Sequence, residues 1–288
     1  MSEFIFGTAT FAPRYGISNS NITLSVEDSL ELIDSALDLG IMHFDTAPTY
    51  GNAENIIGYA VKSGRKLVVS SKISKEACEN PTSLSKSVLS SLDKLRVPSL
   101  EILYLHDETA LLVNDSRYLL SELEKLRKRG LFKKLGVSIY SREVLEILKS
   151  NFHEIDVFQV PENICDRRFR ESDFLHEMMN DRHEYVVRSV FLQGLLLMKE
   201  EEIPPQFGEA KIAIKKLNAF AKRNQISTLD ICLAYVRDLS WCDSVIVSAA
   251  SPRQLTNIMT SKVDLPDSWE LEVPRITNDL IDPRTWVL

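Results

Sequence analysis

The feature that most constrains this chain is an alternation repeated along almost all of it, a short β-branched run ending in a polar residue followed by a longer stretch with helical spacing. Parallel strands need a crossover long enough to hold a helix, so strand-then-helix repetition builds a parallel sheet. Strands are expected at 4–11, 42–45, 67–72, 100–106, 133–138, 156–160, 185–190 and 243–248. The intervening stretches place apolar residues at i, i+3, i+4 and i+7: Leu30, Ile33 and Leu37; Leu84, Val88, Leu92 and Leu95; Leu119, Leu123 and Leu126. Gly40 and Gly130 stand where a helix needs a left-handed residue to stop.

A parallel sheet of this size can stay open or close. Closure into a (β/α)8 TIM barrel is favoured by the even recurrence of polar strand ends, at Thr8, Asp45, Lys72, His106, Ser138, Gln159, Ser189 and Ser248. No GxGxxG follows the first strand, which weakens a dinucleotide-binding open sheet. The gap between the last two strands has room for additional helices near 210–223 and 228–238. No linker or composition shift divides the chain, so a single α/β domain over 1–288 is expected, with a short C-terminal tail at 262–288.

Composition narrows the function. With 44% hydrophobic residues the 288-residue chain can bury a large core without cross-links. A formal net charge of -7 argues against a nucleic-acid partner, which needs a basic face. Cys78, Cys165, Cys232 and Cys242 lack metal-ligand spacing, so no metal is expected and the cysteines read as reduced packing residues. No apolar run approaches a membrane span and the first residues do not read as a signal peptide, so no membrane partner and a cytoplasmic location are expected.

Strand alternation puts His43 with Asp45, Ser70 with Lys72, and Ile102 with Tyr104 and His106 on common faces. If those faces point inward, Asp45, Lys72 and His106 converge at the barrel mouth, and Tyr50, five residues past Asp45, hangs over the same point. The set suits carbonyl reduction: an oxygen gaining negative charge needs a proton donor and a hydrogen-bond donor. A phenol is a poor acid near neutrality, since its pKa is about 10. A lysine ammonium beside it would favour the phenolate, and a carboxylate would keep that ammonium charged. In this scheme Asp45 holds Lys72, Lys72 acidifies Tyr50, and His106 orients the carbonyl oxygen.

These residues sit in Phe44-Asp45-Thr46-Ala47-Pro48-Thr49-Tyr50-Gly51, followed by Glu54 and Gly58, and in Ser70-Ser71-Lys72 and Leu103-Tyr104-Leu105-His106. With Leu135-Gly136-Val137-Ser138, Phe158-Gln159-Val160, Gly194-Leu195-Leu196 and Val245-Ile246-Val247, the chain resembles the aldo-keto reductases from about residue 4 to 260. The resemblance implies a (β/α)8 enzyme that reduces an aldehyde or ketone with NADP, NAD being left open, and Tyr50 as proton donor. It implies cofactor contacts at Thr8, Ser138, Gln159, Ser189, Gly194, Ser248, Ser251, Arg253 and Gln254. Ile139 stands where relatives often have asparagine, and Arg188 where an aromatic is common. Ser248 and Gln254 stand where many relatives carry a lysine and an arginine on the 2′-phosphate of NADP, with Arg253 one place off. A small-molecule carbonyl substrate and a monomer are the family's expectation.

Plainer roles are weighed for other residues. His43, one layer below Asp45, reads as a core histidine. The basic run Lys125, Arg127, Lys128, Arg129, Lys133 and Lys134 reads as a solvated helix face, being interrupted by Glu122 and Glu124. Tyr15, Phe191 and Trp286 are packing residues that could also line the pocket. Substrate choice is expected in the loops at 107–115 and 199–208 and in the tail. Two other functions fit the same residues: a non-catalytic module that senses redox state through bound cofactor, and a Schiff-base aldolase using Lys72.

Overall fold

The computed structural model describes residues 3–13, 15–17, 23–112, 116–170, 178–179, 181–276 and 279–286. Eight parallel strands close into a barrel in chain order: β1 (Glu3–Gly7), β2 (His43–Asp45), β3 (Val68–Ile73), β4 (Leu100–Leu105), β5 (Phe132–Ser138), β6 (Val157–Pro161), β7 (Glu184–Arg188) and β8 (Ser244–Val247). β1 pairs with β8 as well as with β2, so the sheet has no free edge. Helices α1 (Val26–Asp38), α2 (Ala53–Lys62), α3 (Pro81–Leu95), α4 (Ser116–Lys128) and α5 (Arg142–Asn151) cover the outside, followed by helices Gly208–Asn224, Thr228–Arg237 and Pro252–Thr260. No helix among the described residues is long and apolar enough to cross a membrane.

Local chemistry sets the helix ends. Ser25 caps α1 in a reciprocal box, its hydroxyl accepting from the Asp28 N–H at 3.0 Å while the Ser25 N–H donates to the Asp28 carboxylate at 3.1 Å. Gly40 and Gly130 follow α1 and α4 at φ 85° and 77°, as their sequence positions predict. Within each strand, residues alternate between two environments. Phe44, Val69, Leu103, Leu135, Phe158, Val187 and Val245 face the helices in the main core, whereas Ile5, Ile102, Tyr104, Val157 and Val186 form a second cluster inside the barrel.

Two strands end more than one residue earlier than the sequence predicts. Residues 8–11 were expected in β1 but form a 3-10 turn, because β1 finds its last partner where Gly7 pairs with Asp45, the end of β2. Residues 189 and 190 were expected in β7, but Ser189 takes φ 63°, which ends the strand. The inward faces of the remaining residues stack in layers. At the bottom Lys134 donates to Glu184 at 2.6 Å and His43 contacts Ser70 Oγ at 2.7 Å, so His43 is a half-buried, hydrogen-bonded histidine rather than a fully buried core one. The apolar cluster lies above, and polar ends form the top layer.

Of the basic run, Lys125, Arg127, Lys128 and Arg129 lie on or just after α4 as a solvated face, whereas Lys133 and Lys134 belong to β5 rather than to a helix, and Lys134 faces into the barrel. Lys125 and Lys128 pair with Glu122 and Glu124, Arg127 with Asp156, and Lys133 with Glu101. The tail closes back on the barrel: Arg167 donates to the Val273 carbonyl at 2.6 Å, its guanidinium lies 4.5 Å from the Trp269 ring centroid, and the Ile276 N–H donates to the Cys165 carbonyl at 2.8 Å.

One interior position joins this packing to the site. A Cβ on Gly136 would lie 2.3 Å from the Tyr104 ring, so the absence of a side chain on β5 makes room for the Tyr104 phenol inside the barrel. Gly136→Ala is expected to lower stability by about 2 kcal/mol, the usual scale of overpacking. Denaturant titration checks this; a variant as stable as the parent would show that the barrel interior has slack at this layer.

Candidate active site

Asp45 ends β2, Lys72 lies near the end of β3, His106 follows β4, and Tyr50 stands in the turn between β2 and α2. Three adjacent strands therefore deliver three of the side chains to one sector of the mouth. Lys72 Nζ contacts Asp45 Oδ1 directly, and the two side chains are 1% and 6% exposed, so this ion pair is removed from water. The ammonium also donates to the Thr46 carbonyl at 3.2 Å and lies 5.4 Å from the Tyr50 ring centroid and 5.5 Å from that of Tyr104. The Tyr50 and His106 rings meet edge-on with centroids 6.2 Å apart. All four predicted residues line one cavity of about 670 Å³.

A second tier supports the pair. Gln159 on β6 donates from its amide to Asp45 Oδ2 at 3.0 Å and is in side-chain hydrogen-bond contact with Tyr104. Thr8 donates to the Asp45 carbonyl at 3.1 Å. Both carboxylate oxygens are thus satisfied, as a buried charge requires.

Electrostatics differ from the simple expectation at Tyr50. Burial, then the Asp45 carboxylate, push the phenol above its ordinary value, so in the resting cavity it is a held proton rather than an acidified one. Burial pulls the Lys72 ammonium below its ordinary value, and the charge and hydrogen bond of Asp45 offset only part of that pull. His106 is pushed down to about 4 by burial, then by the charges of Lys72 and Arg188, so its imidazole is neutral near pH 7.

From this centre the cavity runs along the strand ends past Gly7, Ser138, Gln159, Ser189 and Gly194 to Ser248, Gln254 and Asn257. Ser138, Gln159, Ser189, Gly194, Ser248 and Gln254 therefore lie where the sequence predicts cofactor contacts. Thr8, Ser251 and Arg253 do not line the cavity: Thr8 is held on Asp45, the Ser251 hydroxyl caps the helix Pro252–Thr260 by accepting from the Gln254 N–H, and Arg253 is exposed. Tyr15 and Phe191 line the cavity, whereas Trp286 packs on Phe207 with ring centroids 5.0 Å apart. Of the loops expected to choose substrate, residues 113–115, 277–278 and 287–288 lie outside the described residues. Sequence reasoning missed Tyr140, which lines the mouth beside Arg188, and the supporting role of the Tyr104 hydroxyl. Tyr104 was legible as inward-facing from its spacing to His106; nothing local marks Tyr140.

Comparison with known proteins agrees with this geometry. The model of the Aldo/keto reductase family matches residues 3–268. The chain belongs to the aldo/keto reductase family. Aldo-keto reductase YhdN of Bacillus subtilis (strain 168) is 24% identical over 257 residues, covering 79% of this chain and 76% of that protein. D-arabinose 1-dehydrogenase of Saccharomyces cerevisiae is 21% identical over 255 residues, covering 82% and 75%. Among solved structures, the fold matches aldo-keto reductase AKR11C1 from Bacillus halodurans in its holo form with a TM-score of 0.75 at 18% identity, covering 94% and 90%. It matches glycerol dehydrogenase AKR11B4 from Gluconobacter oxydans with a TM-score of 0.71 at 22% identity, covering 99% and 95%.

As an aldo/keto reductase, an oxidoreductase family that works with nicotinamide cofactors, the chain should offer an elongated site with bare polar groups. The cavity fits. It is long, the Thr10 hydroxyl on its wall is buried and has no partner among the described residues, and the lining residues Ser189, Gln193 and Gly194 hold positive φ. Strained non-glycine backbone concentrates where a ligand is gripped.

The neutral imidazole is open to measurement. The His106 ring proton resonance should titrate with a midpoint near 4, and Arg188→Met should move it upward by removing a positive charge. A midpoint at the ordinary value near 6.5 would contradict the burial and charge arrangement described.

Proposed function

We propose that the chain reduces an aldehyde or ketone to an alcohol, with Tyr50 as proton donor. The observation that supports this most is the Lys72–Asp45 ion pair held against the Tyr50 ring at the inner end of an open cavity. The nicotinamide cofactor, when bound, supplies the hydride. Ser138, Gln159, Ser189, Gly194, Ser248 and Gln254 are proposed to hold it.

The residues then have separable tasks. Neutral His106 donates an N–H to the carbonyl oxygen and fixes its direction. As negative charge grows on that oxygen, the Tyr50 hydroxyl gives up its proton to it. The phenolate that remains lies beside the Lys72 ammonium, which stabilises it, and Asp45 keeps the ammonium charged and in place. Lys72 lowers the energy of the phenolate during the reaction without producing it at rest, consistent with the raised resting value of Tyr50. The contact of the Lys72 amine with the Asp45 carboxylate weighs against a Schiff-base role, which needs a free neutral amine.

The far end of the cavity bears on the choice between NADP and NAD. Ser248, Ala249, Gln254, Asn257, Thr228 and Leu229 line it, and among the described lining residues the only lysine or arginine side chains are Lys72 and Arg188, elsewhere in the cavity. A charged hydrogen bond is worth about 1.5–3 kcal/mol, so a 2′-phosphate without one gains little. NAD is proposed to bind comparably with NADP.

Fluorescence titration should give dissociation constants for NADH and NADPH within about tenfold of each other, the span of one weak charged contact. The same protein should reduce 4-nitrobenzaldehyde, and Tyr50→Phe should lower kcat by at least about 100-fold while leaving cofactor binding intact. Cofactor binding without turnover of any carbonyl would favour the redox-sensing reading. Borohydride trapping of substrate on Lys72 would overturn the reductase reading in favour of the aldolase.

A further inference from the structure

Arg188 is the second cation of the cavity, and the tasks assigned above leave it without one. It ends β7, four strands from Lys72 on β3, so the two cations stand on opposite sides of the eight-stranded mouth. Its charge reaches across to Tyr15, Tyr50, Lys72 and His106.

The guanidinium is held in place by neutral groups. Nη1 donates to Ser189 Oγ at 3.1 Å, Nη2 donates to the Ile139 carbonyl at 3.0 Å, and the group lies 4.0 Å from the Tyr140 ring centroid. Its buried Nε–H has no partner among the described residues. A guanidinium has five N–H donors, and each terminal nitrogen carries two. One on each is committed, which leaves one donor on each terminal nitrogen besides the Nε–H, enough to grip an oxyanion with two hydrogen bonds.

The acids nearby are engaged elsewhere. Asp166, whose carboxyl feels Arg188, is bound by Arg168 through two hydrogen bonds of 2.9 and 2.8 Å. Arg284 also lies against Tyr140, 3.5 Å from the ring centroid, but is paired with Asp282 at 2.6 Å and lies 3.6 Å from Glu108. Two arginines thus contact one tyrosine ring, and only the one lining the cavity lacks a carboxylate among the described residues. Asp45 is in contact with Lys72, so the cavity centre retains one uncompensated positive charge.

We propose that Arg188 receives an anionic group, a carboxylate or phosphate, carried by the carbonyl substrate whose reacting oxygen lies at Tyr50 and His106. This rests on the reading of the cavity as a carbonyl-reducing site. It makes Arg188 a specificity-determining residue and the substrate an oxo acid or phosphorylated carbonyl compound rather than a neutral one.

The test compares 4-carboxybenzaldehyde with its methyl ester, methyl 4-formylbenzoate, by calorimetry with and without NAD, and then by turnover with NADH. The acid is expected to bind at least tenfold tighter than the ester. Arg188→Met should collapse that preference to below threefold, and Arg188→Lys should restore part of it. Glyceraldehyde 3-phosphate against glyceraldehyde gives the same comparison for phosphate, and the larger ratio names the anion. Equal binding of both members of both pairs to the parent protein overturns the proposal without any variant having to fold. So does a tenfold loss of NADH affinity in Arg188→Met with the acid preference intact, which would assign the guanidinium to the cofactor. Turnover without acid preference removes the anion site and leaves the reductase reading standing; acid preference without turnover of any carbonyl does the reverse.

Discussion

The contact between Lys72 and Asp45 is the interaction on which the rest of this site depends. Taking two charges out of water costs several kcal/mol for each ion, and the loss is recovered only where geometry is good and every remaining donor and acceptor is met. Here Asp45 accepts from Lys72 on one oxygen and from Gln159 on the other, and Lys72 also reaches the Thr46 carbonyl. Gln159 is also in hydrogen-bond contact with Tyr104, and Tyr104 has room because Gly136 carries no side chain. These groups come from β2, β3, β4, β5 and β6, so the pair is assembled only when the barrel has closed. An open sheet with the same strands would leave Gln159 four strands from Asp45, without the inward convergence that joins them.

The distribution of charge along the cavity carries the functional argument further. Lys72 and Arg188 face each other across the mouth, whereas the far end is lined by hydroxyls, amides and apolar groups. Positive charge is therefore concentrated where an oxygen becomes negative and where a substrate anion could dock. The same two cations, with burial, keep His106 neutral, which suits a hydrogen-bond donor that must not compete with Tyr50 as the acid.

Much of this was legible in the sequence because period and position coincide in a barrel. Alternation within a strand marks the inward face, and the last inward residue of each strand lies at the mouth, so Asp45, Lys72 and His106 could be placed together before any coordinates. Two things were hidden. A hydroxyl at a strand end does not reveal whether it faces ligand or protein: Thr8 holds the Asp45 carbonyl and Ser251 caps a helix, and both roles use the same side chain that a cofactor would. Partners distant in the chain were equally hidden, since Tyr140 meets Arg188 and Arg284 only after β7 and the tail have folded over the β5 end. The sign at Tyr50 also needed the structure: proximity of an ammonium predicts a lowered phenol, but burial and Asp45 win.

The charge state of Lys72 tests this account most directly. With the lysine side chains labelled, the Lys72 resonances can be followed by heteronuclear NMR across pH in the parent protein and in Asp45→Asn. The account requires Lys72 to be an ammonium at pH 7 in the parent and to lose its proton at distinctly lower pH once the carboxylate is gone, since burial then acts unopposed. A neutral Lys72 at pH 7 in the parent protein, or a titration unchanged by Asp45→Asn, would contradict it.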